Sequence, residues 1–316
     1  MTPTKVLVTG GGGFIGSHVV DRLLDLGHQV AVVDDLSSGH LSNIPSGVPL
    51  YRTDIADPAL EDVFREERPD FVCHYAAQIS VQLSMQDPLG DADTNVRGSL
   101  NLLQNCVLYG VKKVVFTSSG GAIYGEPQHL PCDETHSVYP LSHYGVSKYA
   151  VENYLYVYGQ SHGLHYTILR LGNVYGPRQD PFGEAGVVAI FSQAMLQEKP
   201  LVINGSGEQE RDFLYVLDVV EASIKALERG SGEAFNIGTG RGASVNEIYA
   251  LLKKNAGYEG EAPHGPAKPG EVFKIYLDNT KARQQLGWEP RFSLEEGLKE
   301  TLEWFRNANL GMDLQQ

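Results

Sequence analysis

The sequence has few cysteines, few basic residues for its acid content and no long apolar run. Its three cysteines, Cys73, Cys106 and Cys132, are far apart and form no CxxC pair, so they indicate neither a disulfide framework nor a metal site. Lys and Arg number 25 against 39 Asp and Glu, and the net charge of −14 argues against a nucleic acid partner. No apolar run approaches the roughly 20 residues of a membrane helix. We therefore expect a soluble, cytoplasmic protein with no membrane or nucleic acid partner.

A strand, a glycine-rich loop and a helix follow one another near the start of the sequence. In the loop, at residues 9–16, Gly10 allows a tight turn, Gly13 lets a pyrophosphate approach the backbone, and Gly16 lets the helix pack closely on the strand. The next strand ends about 20 residues later at Asp34, whose carboxylate can bind both ribose hydroxyls and repel a 2′-phosphate. The pattern predicts NAD binding. A structural turn followed by a surface acidic pair is the alternative.

Strands alternate with helices through the first half of the 316 residues, and 42% of all residues are hydrophobic. This rhythm predicts an α/β protein with a doubly wound parallel sheet and its ligands at the carboxyl ends of the strands. We predict strands at 6–8, 29–33, 50–55, 71–77, 113–117, 166–171 and 234–237, and helices at 60–67, 87–109, 143–162, 187–197, 219–227, 246–255 and 294–305. We expect an NAD-binding Rossmann domain over 1–176 and a smaller α/β substrate domain over 177–316. Segments near 213–240 are expected to return to the first domain.

Tyr144 and Lys148 are four residues apart on a predicted helix, so they lie on the same face. A tyrosine has a pKa near 10 and needs a nearby cation to act as a base near neutral pH. The YxxxK spacing also occurs by chance on helix surfaces. Behind a dinucleotide loop, it makes Tyr144 the candidate base and Lys148 the group that activates it.

These motifs together resemble the extended short-chain dehydrogenases/reductases, and within them the pattern of the UDP-glucose 4-epimerases. The resemblance covers essentially the whole chain and includes the serine pair before Tyr124 and Gly125. It implies NAD-dependent inversion at C4 of a UDP-sugar through a transient 4-keto sugar. It also implies a homodimer formed by the helices around 91–109 and 144–160. The alternatives are an epimerase or reductase acting on another nucleotide sugar, and a non-catalytic NAD-sensing protein that has kept the fold.

One position departs from the family pattern. Epimerases usually carry Ser or Thr four residues before the Tyr-Gly pair, where this chain has Gly120. Dehydratases of the family resemble Thr-Asp-Glu at this and the next two positions, so the run of Gly120, Gly121 and Ala122 argues against dehydration. Either Ser119 or Ser118 supplies the missing hydroxyl, or Tyr144 contacts the sugar directly. Ser119 has the spacing nearer the usual one, and both serines can also merely satisfy backbone groups.

The remaining site assignments follow from these motifs and the resemblance. For the cofactor we assign Gly10, Gly13, Phe14, Ile15, Gly16, Asp34, Ser38, Gly39, Asp54, Ile55, Tyr75, Ala76, Ala77, Asn95, Tyr144 and Lys148. For the UDP-sugar we assign Asn173, Val188, Val202, Asn204, Arg211, Lys268, Glu271 and Ile275.

Three of the substrate residues carry a specific expectation. The resemblance places Arg211 on the diphosphate, with a surface salt bridge to Asp212 as the alternative. Lys268 stands where the family usually has an arginine, so the charge remains but the bidentate fork is lost. Ile275 stands where stricter epimerases place a tyrosine, which predicts room for an N-acetyl group.

Overall fold

A parallel sheet with helices on both faces carries the main core. The structure is a computed structural model that describes residues 4–182, 186–267 and 272–313, with side chains up to residue 308. Its strands are β1 (Lys5–Thr9), β2 (Gln29–Val33), β3 (Leu50–Tyr51), β4 (Phe71–His74), β5 (Lys113–Ser119), β6 (His165–Leu171), β7 (Asn173–Tyr175), β8 (Ile203–Asn204), β9 (Glu210–Arg211), β10 (Phe213–Tyr215), β11 (Glu233–Ile237), β12 (Ala243–Ser244), β13 (His264–Gly265) and β14 (Lys274–Ile275). Its α-helices are α1 (Phe14–Asp25), α2 (Leu60–Glu67), α3 (Val81–Gln86), α4 (Pro88–Ala92), α5 (Gly98–Leu108), α6 (Gly120–Ile123), α7 (His143–His162), α8 (Val187–Leu196), α9 (Val216–Glu228), α10 (Val245–Ala256) and α11 (Leu294–Asp313).

Seven of the described strands form the central sheet, in the order β11-β6-β5-β4-β1-β2-β3, and every neighbouring pair is parallel. The predicted doubly wound sheet is confirmed. The strand order reverses between β1 and β4, so a crevice opens at the carboxyl ends of these two strands. The glycine loop follows β1 directly and lies at this crevice.

Side-chain alternation along β1 shows how the sequence covers both faces of the sheet. Val6 and Val8 pack on the face covered by α1 and α9, whereas Leu7 packs on the face covered by α2, α5 and α7. All three side chains are fully buried. A further apolar cluster joins α8, α10 and α11 beyond the sheet and includes Val188 and Leu298.

Most predicted elements are confirmed within a few residues, and four differ. β3 is shorter than predicted because the Asp54 carboxylate accepts the backbone N–H of Ala56 and turns the chain. β4 ends at His74 rather than at residue 77. The helix predicted over 87–109 is divided by a π-helical turn, Asp93–Arg97, between α4 and α5, and α3 precedes it. β10 pairs with β7 outside the central sheet, whereas β11 pairs with β6 within it and α9 packs against one of its faces.

Candidate active site

The glycine loop forms an open cradle at the crevice. Gly10 has φ +69°, and a Cβ there would lie 2.6 Å from the backbone nitrogen of Ala76. A Cβ on Gly16 would lie 2.1 Å from the carbonyl oxygen of Gly10, so this position admits only glycine. A Cβ on Gly13 would meet only that same carbonyl within 4 Å. The loop therefore presents the amino-terminal end of α1 without side chains in the way, as a pyrophosphate requires.

The Asp34 carboxylate is anchored beside this cradle. It accepts the backbone N–H of Gly12 at 2.8 Å and that of Leu36 at 2.9 Å, and its side chain is nearly buried. A Cβ on Gly39 would lie 2.8 Å from one of the carboxylate oxygens, and Ser38 beside it is exposed. A carboxylate has about four lone-pair sites. Asp34 therefore keeps acceptors for ribose hydroxyls, and the cradle and this acid together fit NAD.

The other assigned cofactor residues differ in how much surface they present. Phe14 and Ile15 are half-buried at the start of α1, and Asp54 is exposed. Ile55 is only 3% exposed and packs against Gly98. The Tyr75 hydroxyl donates to Ser223 at 2.5 Å, so its ring points into the α9 side of the sheet. Ile55 and Tyr75 therefore pack behind the surface of the crevice and support it.

Tyr144 and Lys148 meet the end of β5 from the first turns of α7. The Ser142 hydroxyl caps this helix by accepting the N–H of Gly145. The Lys148 ammonium lies 5.9 Å from the centre of the Tyr144 ring and donates to the carbonyl of Thr117 at 3.0 Å. The Ser119 hydroxyl lies near enough to the Tyr144 phenol to favour its ionised form and lower its pKa. Tyrosine, lysine and serine thus lie together at the carboxyl end of β5.

Ser118 faces away from this group. Its hydroxyl bonds the Glu152 carboxylate at 2.5 Å, and Glu152 is also paired with Arg170 at 2.7 Å. All three side chains are buried. Of the two candidate serines, Ser119 is therefore the one at the Tyr144 phenol, and Ser118 belongs to a buried ion-pair network that fastens α7 to the sheet.

The two glycines after Ser119 have different neighbours. A Cβ on Gly120 would lie 2.6 Å from a methyl carbon of Leu277, so the position of the usual serine is packed by a side chain from far along the chain. A Cβ on Gly121 would lie 3.4 Å from the side-chain oxygen of Asn173. Asn173, an assigned substrate residue, is exposed beside this glycine. Leu277 therefore fills the space beside Gly120, whereas Gly121 leaves room for a Cβ next to Asn173.

Burial has the largest effect on the pKa values of Tyr144 and Lys148. Burial raises the pKa of Tyr144 to about 12, the Ser119 hydrogen bond opposes this, and the Asp91 charge adds to it. Burial also lowers the pKa of Lys148 to about 8, against the acidic neighbours Asp91 and Glu152, which raise it. The described groups that shift the pKa of Tyr144 in the protein alone are Ser119 and Asp91, and the expected depression by Lys148 is not among these effects. A phenolate at Tyr144 needs further positive charge.

The side-chain amide of Asn95 forms its hydrogen bonds with other residues of the protein. It lies in the π-helical turn, and its amide bonds the backbone of Gln78, the Asp91 carboxylate and the Ser147 hydroxyl. It is 3% exposed. The assigned cofactor role of Asn95 is therefore indirect, because its amide connects α4, the end of β4 and α7 behind the site.

The substrate residues assigned in the carboxyl-terminal part of the chain differ in their exposure. Val202 is 52% exposed, and Asn204 and Arg211 are half-buried on β8 and β9. Val188 is fully buried and Ile275 is 2% exposed, so neither presents a free surface to a sugar. The space expected beside Ile275 is filled by its cluster with Ile123, Tyr124, Cys132 and Leu277. Lys268 and Glu271 lie outside the described residues.

Asp212, weighed above as a salt-bridge partner of Arg211, has another role. It is 2% exposed, and its carboxylate accepts the backbone N–H groups of Thr239, Gly240 and Leu277. Burial raises its pKa and these hydrogen bonds lower it. Asp212 thus holds three loops together behind Arg211.

Several residues of the site were missed from the sequence. Gln78, Asp91, Ser147, Glu152, Arg170 and Leu277 all support the catalytic group, and their roles depend on contacts between distant segments. For two of them the sequence did hold a clue, because Ser147 and Glu152 lie on the same predicted helix as Tyr144 and Lys148.

Comparison with known proteins places the same elements in one family. The model of the NAD-dependent epimerase/dehydratase family matches residues 6–238. A putative UDP-glucose 4-epimerase of Methanocaldococcus jannaschii is 46% identical over 304 residues, covering 96% of this chain and 99% of the relative.

Solved structures agree with this. The structure of UDP-glucose 4-epimerase from Thermotoga maritima with UDP-glucose superposes with a TM-score of 0.95 at 52% identity, over 96% of this chain and 99% of the other. That of the UDP-glucose 4-epimerase from Thermus thermophilus in complex with NAD has a TM-score of 0.92 at 46% identity, with the same coverage.

Proposed function

The chain belongs to the NAD-dependent epimerase/dehydratase family, and on that premise we propose that it interconverts UDP-glucose and UDP-galactose. It is an enzyme that inverts C4 of a UDP-sugar with NAD as cofactor. The observation that carries the proposal is the placement of Tyr144 between the Ser119 hydroxyl and the buried Lys148, beside the cradle for the cofactor.

The chemistry divides between the cofactor and the side chains. The glycine cradle and Asp34 would hold NAD, which would supply a hydride acceptor and donor for C4 of the sugar. Tyr144 takes the proton of the 4-hydroxyl and later gives it back, which fits a phenol placed at the end of β5. The Lys148 ammonium favours the phenolate electrostatically, and Ser119 donates to the phenol or to the sugar oxygen on which charge develops.

We assign the nucleotide to the carboxyl-terminal side. Val202, just before β8, and Asn204 on β8 offer an exposed apolar surface and a polar group for the uracil, and Arg211 is the diphosphate ligand. Lys268 and Glu271 remain assigned to the same site. This division corresponds to the proposed NAD-binding domain over 1–176 and nucleotide-sugar domain over 177–316, with 213–240 returning to the first. When the nucleotide stays bound on this side, the 4-keto sugar attached to it does not escape while it turns.

The lining of the sugar site argues against elimination chemistry. Dehydration needs an acid and a base beside the sugar, and Gly120, Gly121 and Ala122 supply neither. A reductase or epimerase acting on another nucleotide sugar uses the same tyrosine and lysine, so it remains the second candidate. A pure NAD sensor does not need Tyr144, Ser119 and Lys148 assembled around the reacting position.

We further propose a cytoplasmic homodimer. In the described part of the chain, no helix is long and apolar enough to cross a membrane. Exposed apolar side chains concentrate on α4, α5 and α7, where Leu89 is 82%, Leu108 65% and Val157 52% exposed. Two copies can cover these surfaces against each other. Light scattering should give a mass near twice 34.6 kDa, and Leu89→Asp should lower it. A monomeric native protein would contradict this proposal.

The decisive test of function is turnover by the purified protein. UDP-galactose is incubated without added cofactor, and the products are separated by chromatography. We expect UDP-glucose to form until equilibrium, and a Tyr144→Phe protein to form it at least about 10²-fold more slowly. Bound NAD without any interconversion would favour the sensor. Conversion only of N-acetyl or uronic sugars would favour the second candidate.

A further inference from the structure

A buried carboxylate lies behind the catalytic pair. Asp91, on α4, is 2% exposed, and α4 packs directly against α7. One of its oxygens accepts from the side-chain amide of Gln78 at 2.8 Å and from that of Asn95 at 3.1 Å. No described residue donates a hydrogen bond to the other oxygen, Oδ2. An acid in such a place is costly unless an opposite charge faces it.

Two side-chain amides hydrogen-bond the Asp91 carboxylate. Both partners are amide N–H donors, and a carboxylate is the form that only accepts. Asn95 also bonds the Ser147 hydroxyl on α7 at 3.2 Å, so the carboxylate is tied to the helix that carries Tyr144 and Lys148. The geometry therefore holds a fixed negative charge at the back of the site.

The charged and titratable groups that face the pair are few. From α7 there is Glu152, which is already neutralised by Arg170 on β6. From β4 there is His74, whose pKa is lowered to about 3 by burial and then by Lys148, so it is uncharged in the working range. From α4 there is Asp91, which acts on both Tyr144 and Lys148. Of the two described carboxylates that act on Lys148, Glu152 is paired with Arg170 and Asp91 has no guanidinium partner.

We propose that Asp91 is a positioning residue for the epimerase reaction: its buried charge keeps the Lys148 ammonium protonated and sets the pH range in which the Tyr144 and Lys148 pair works. The inference rests on the proposed function, because it concerns the pair that performs the proton transfer. Asp91 itself does not touch the sugar. Its effect passes through Lys148, which in turn serves Tyr144.

The direction of the effect distinguishes this role from simple structural support. A negative charge disfavours the phenolate and favours the ammonium, so it raises the pKa of Tyr144 and that of Lys148 together. Removing it lowers both. In a bell-shaped pH profile, the two limbs report the two ionisations of the essential acid and base. Both limbs should therefore move to lower pH, whereas loosened packing lowers the rate at every pH.

The test compares Asp91→Asn with Asp87→Asn in the full-length protein loaded with NAD. Asn at position 91 keeps the shape and the acceptor for Gln78 and Asn95. Asp87 is an exposed cap on the same helix that accepts the N–H of Gly90, and Asn can keep that cap. The log of kcat/KM for UDP-galactose is measured against pH. We expect both limbs to shift down by about one unit in Asp91→Asn and to stay in place in Asp87→Asn.

A second readout needs no turnover. Tyrosinate absorbance near 295 nm is titrated in each protein, and the titration of its Tyr144→Phe counterpart is subtracted. The midpoint assigned to Tyr144 should be lower in Asp91→Asn. If Asp91→Asn does not fold, as judged by circular dichroism, Asp91→Ser removes the same charge and undergoes both measurements.

The outcomes separate the two claims. Unmoved limbs and an unmoved phenol midpoint, with or without a lower rate, would overturn the role of Asp91 and leave the proposed function intact. A native protein that converts no UDP-sugar would refute the proposed function. The absorbance titration would then still decide whether Asp91 controls the phenol.

Discussion

The two adjacent serines at the end of β5 should behave oppositely when each is changed to alanine. The Ser119 hydroxyl lies beside the Tyr144 phenol, whereas the Ser118 hydroxyl donates a hydrogen bond to the buried Glu152 carboxylate. The two substitutions remove the same atom one residue apart on one strand. Each is therefore the control for the other, and the structure predicts a kinetic defect in one and a stability defect in the other.

The magnitudes follow from what each hydroxyl touches. A donor aimed at charge developing in the transition state contributes about 10²- to 10³-fold in rate, so Ser119→Ala should lower kcat/KM by that factor with little loss of stability. A hydrogen bond to a buried charged group contributes about 1.5 to 3 kcal/mol to folding. Ser118→Ala should lose about that much unfolding free energy, because Glu152 then keeps only Arg170 as its charged partner.

Two assays read the two effects separately. Turnover of UDP-galactose is followed with a coupled dehydrogenase that consumes UDP-glucose, and unfolding is followed in urea by circular dichroism. The expected pattern is a slow but stable Ser119→Ala and a fast but less stable Ser118→Ala. The reverse pattern would refute the assignment of the two serines. Full activity in both single variants and in the double variant would show that Tyr144 needs no serine.

Further expectations concern the cofactor, the base and the sugar. Asp34→Ala should weaken NAD binding and improve the relative use of NADP, as measured by cofactor titration, and equal affinities in the native protein would contradict the role of its carboxylate. Tyr144→Phe should leave the dissociation constant of UDP nearly unchanged in calorimetry while turnover falls by about 10² or more; retained turnover would show that another group is the base. Lys148→Ala should move the pH optimum upward, since the phenol loses a cation that favours its ionised form, and an unchanged pH profile would show that the two residues are not coupled. UDP-N-acetyl sugars should be turned over more slowly than UDP-glucose, because the buried cluster around Ile275 fills the space expected for the N-acetyl group, and equal turnover of the two sugars would contradict this packing.

The sequence predicts best those features whose cause is local. The glycine loop, the acid at the end of β2 and the four-residue spacing of Tyr144 and Lys148 each depend on a short run of the chain. Strand and helix positions follow from periodicity for the same reason. The loop and the helix end up where the parallel sheet requires them, at the carboxyl ends of its strands.

Features that depend on distant partners were not predictable in this way. Alternation places adjacent serines on opposite sides of β5, but only the position of α7 decides which of them meets Tyr144. Leu277 occupies the space beside Gly120 from more than 150 residues away. Burial likewise removes the free surface expected of Val188 and Ile275. The sequence shows only that the usual serine is replaced by Gly120. The structure shows that Leu277 packs into the space beside this glycine.

The central claim is that hydrogen leaves C4 of the sugar and returns to the same carbon on its other face, while Tyr144 moves only the hydroxyl proton. UDP-galactose carrying deuterium at C4 tests this claim most directly, with mass spectrometry and NMR of the product. We predict UDP-glucose that retains the deuterium at C4, and no deuterium at C4 when unlabelled substrate reacts in heavy water. Loss of the label to solvent, or its uptake from solvent, would contradict the account.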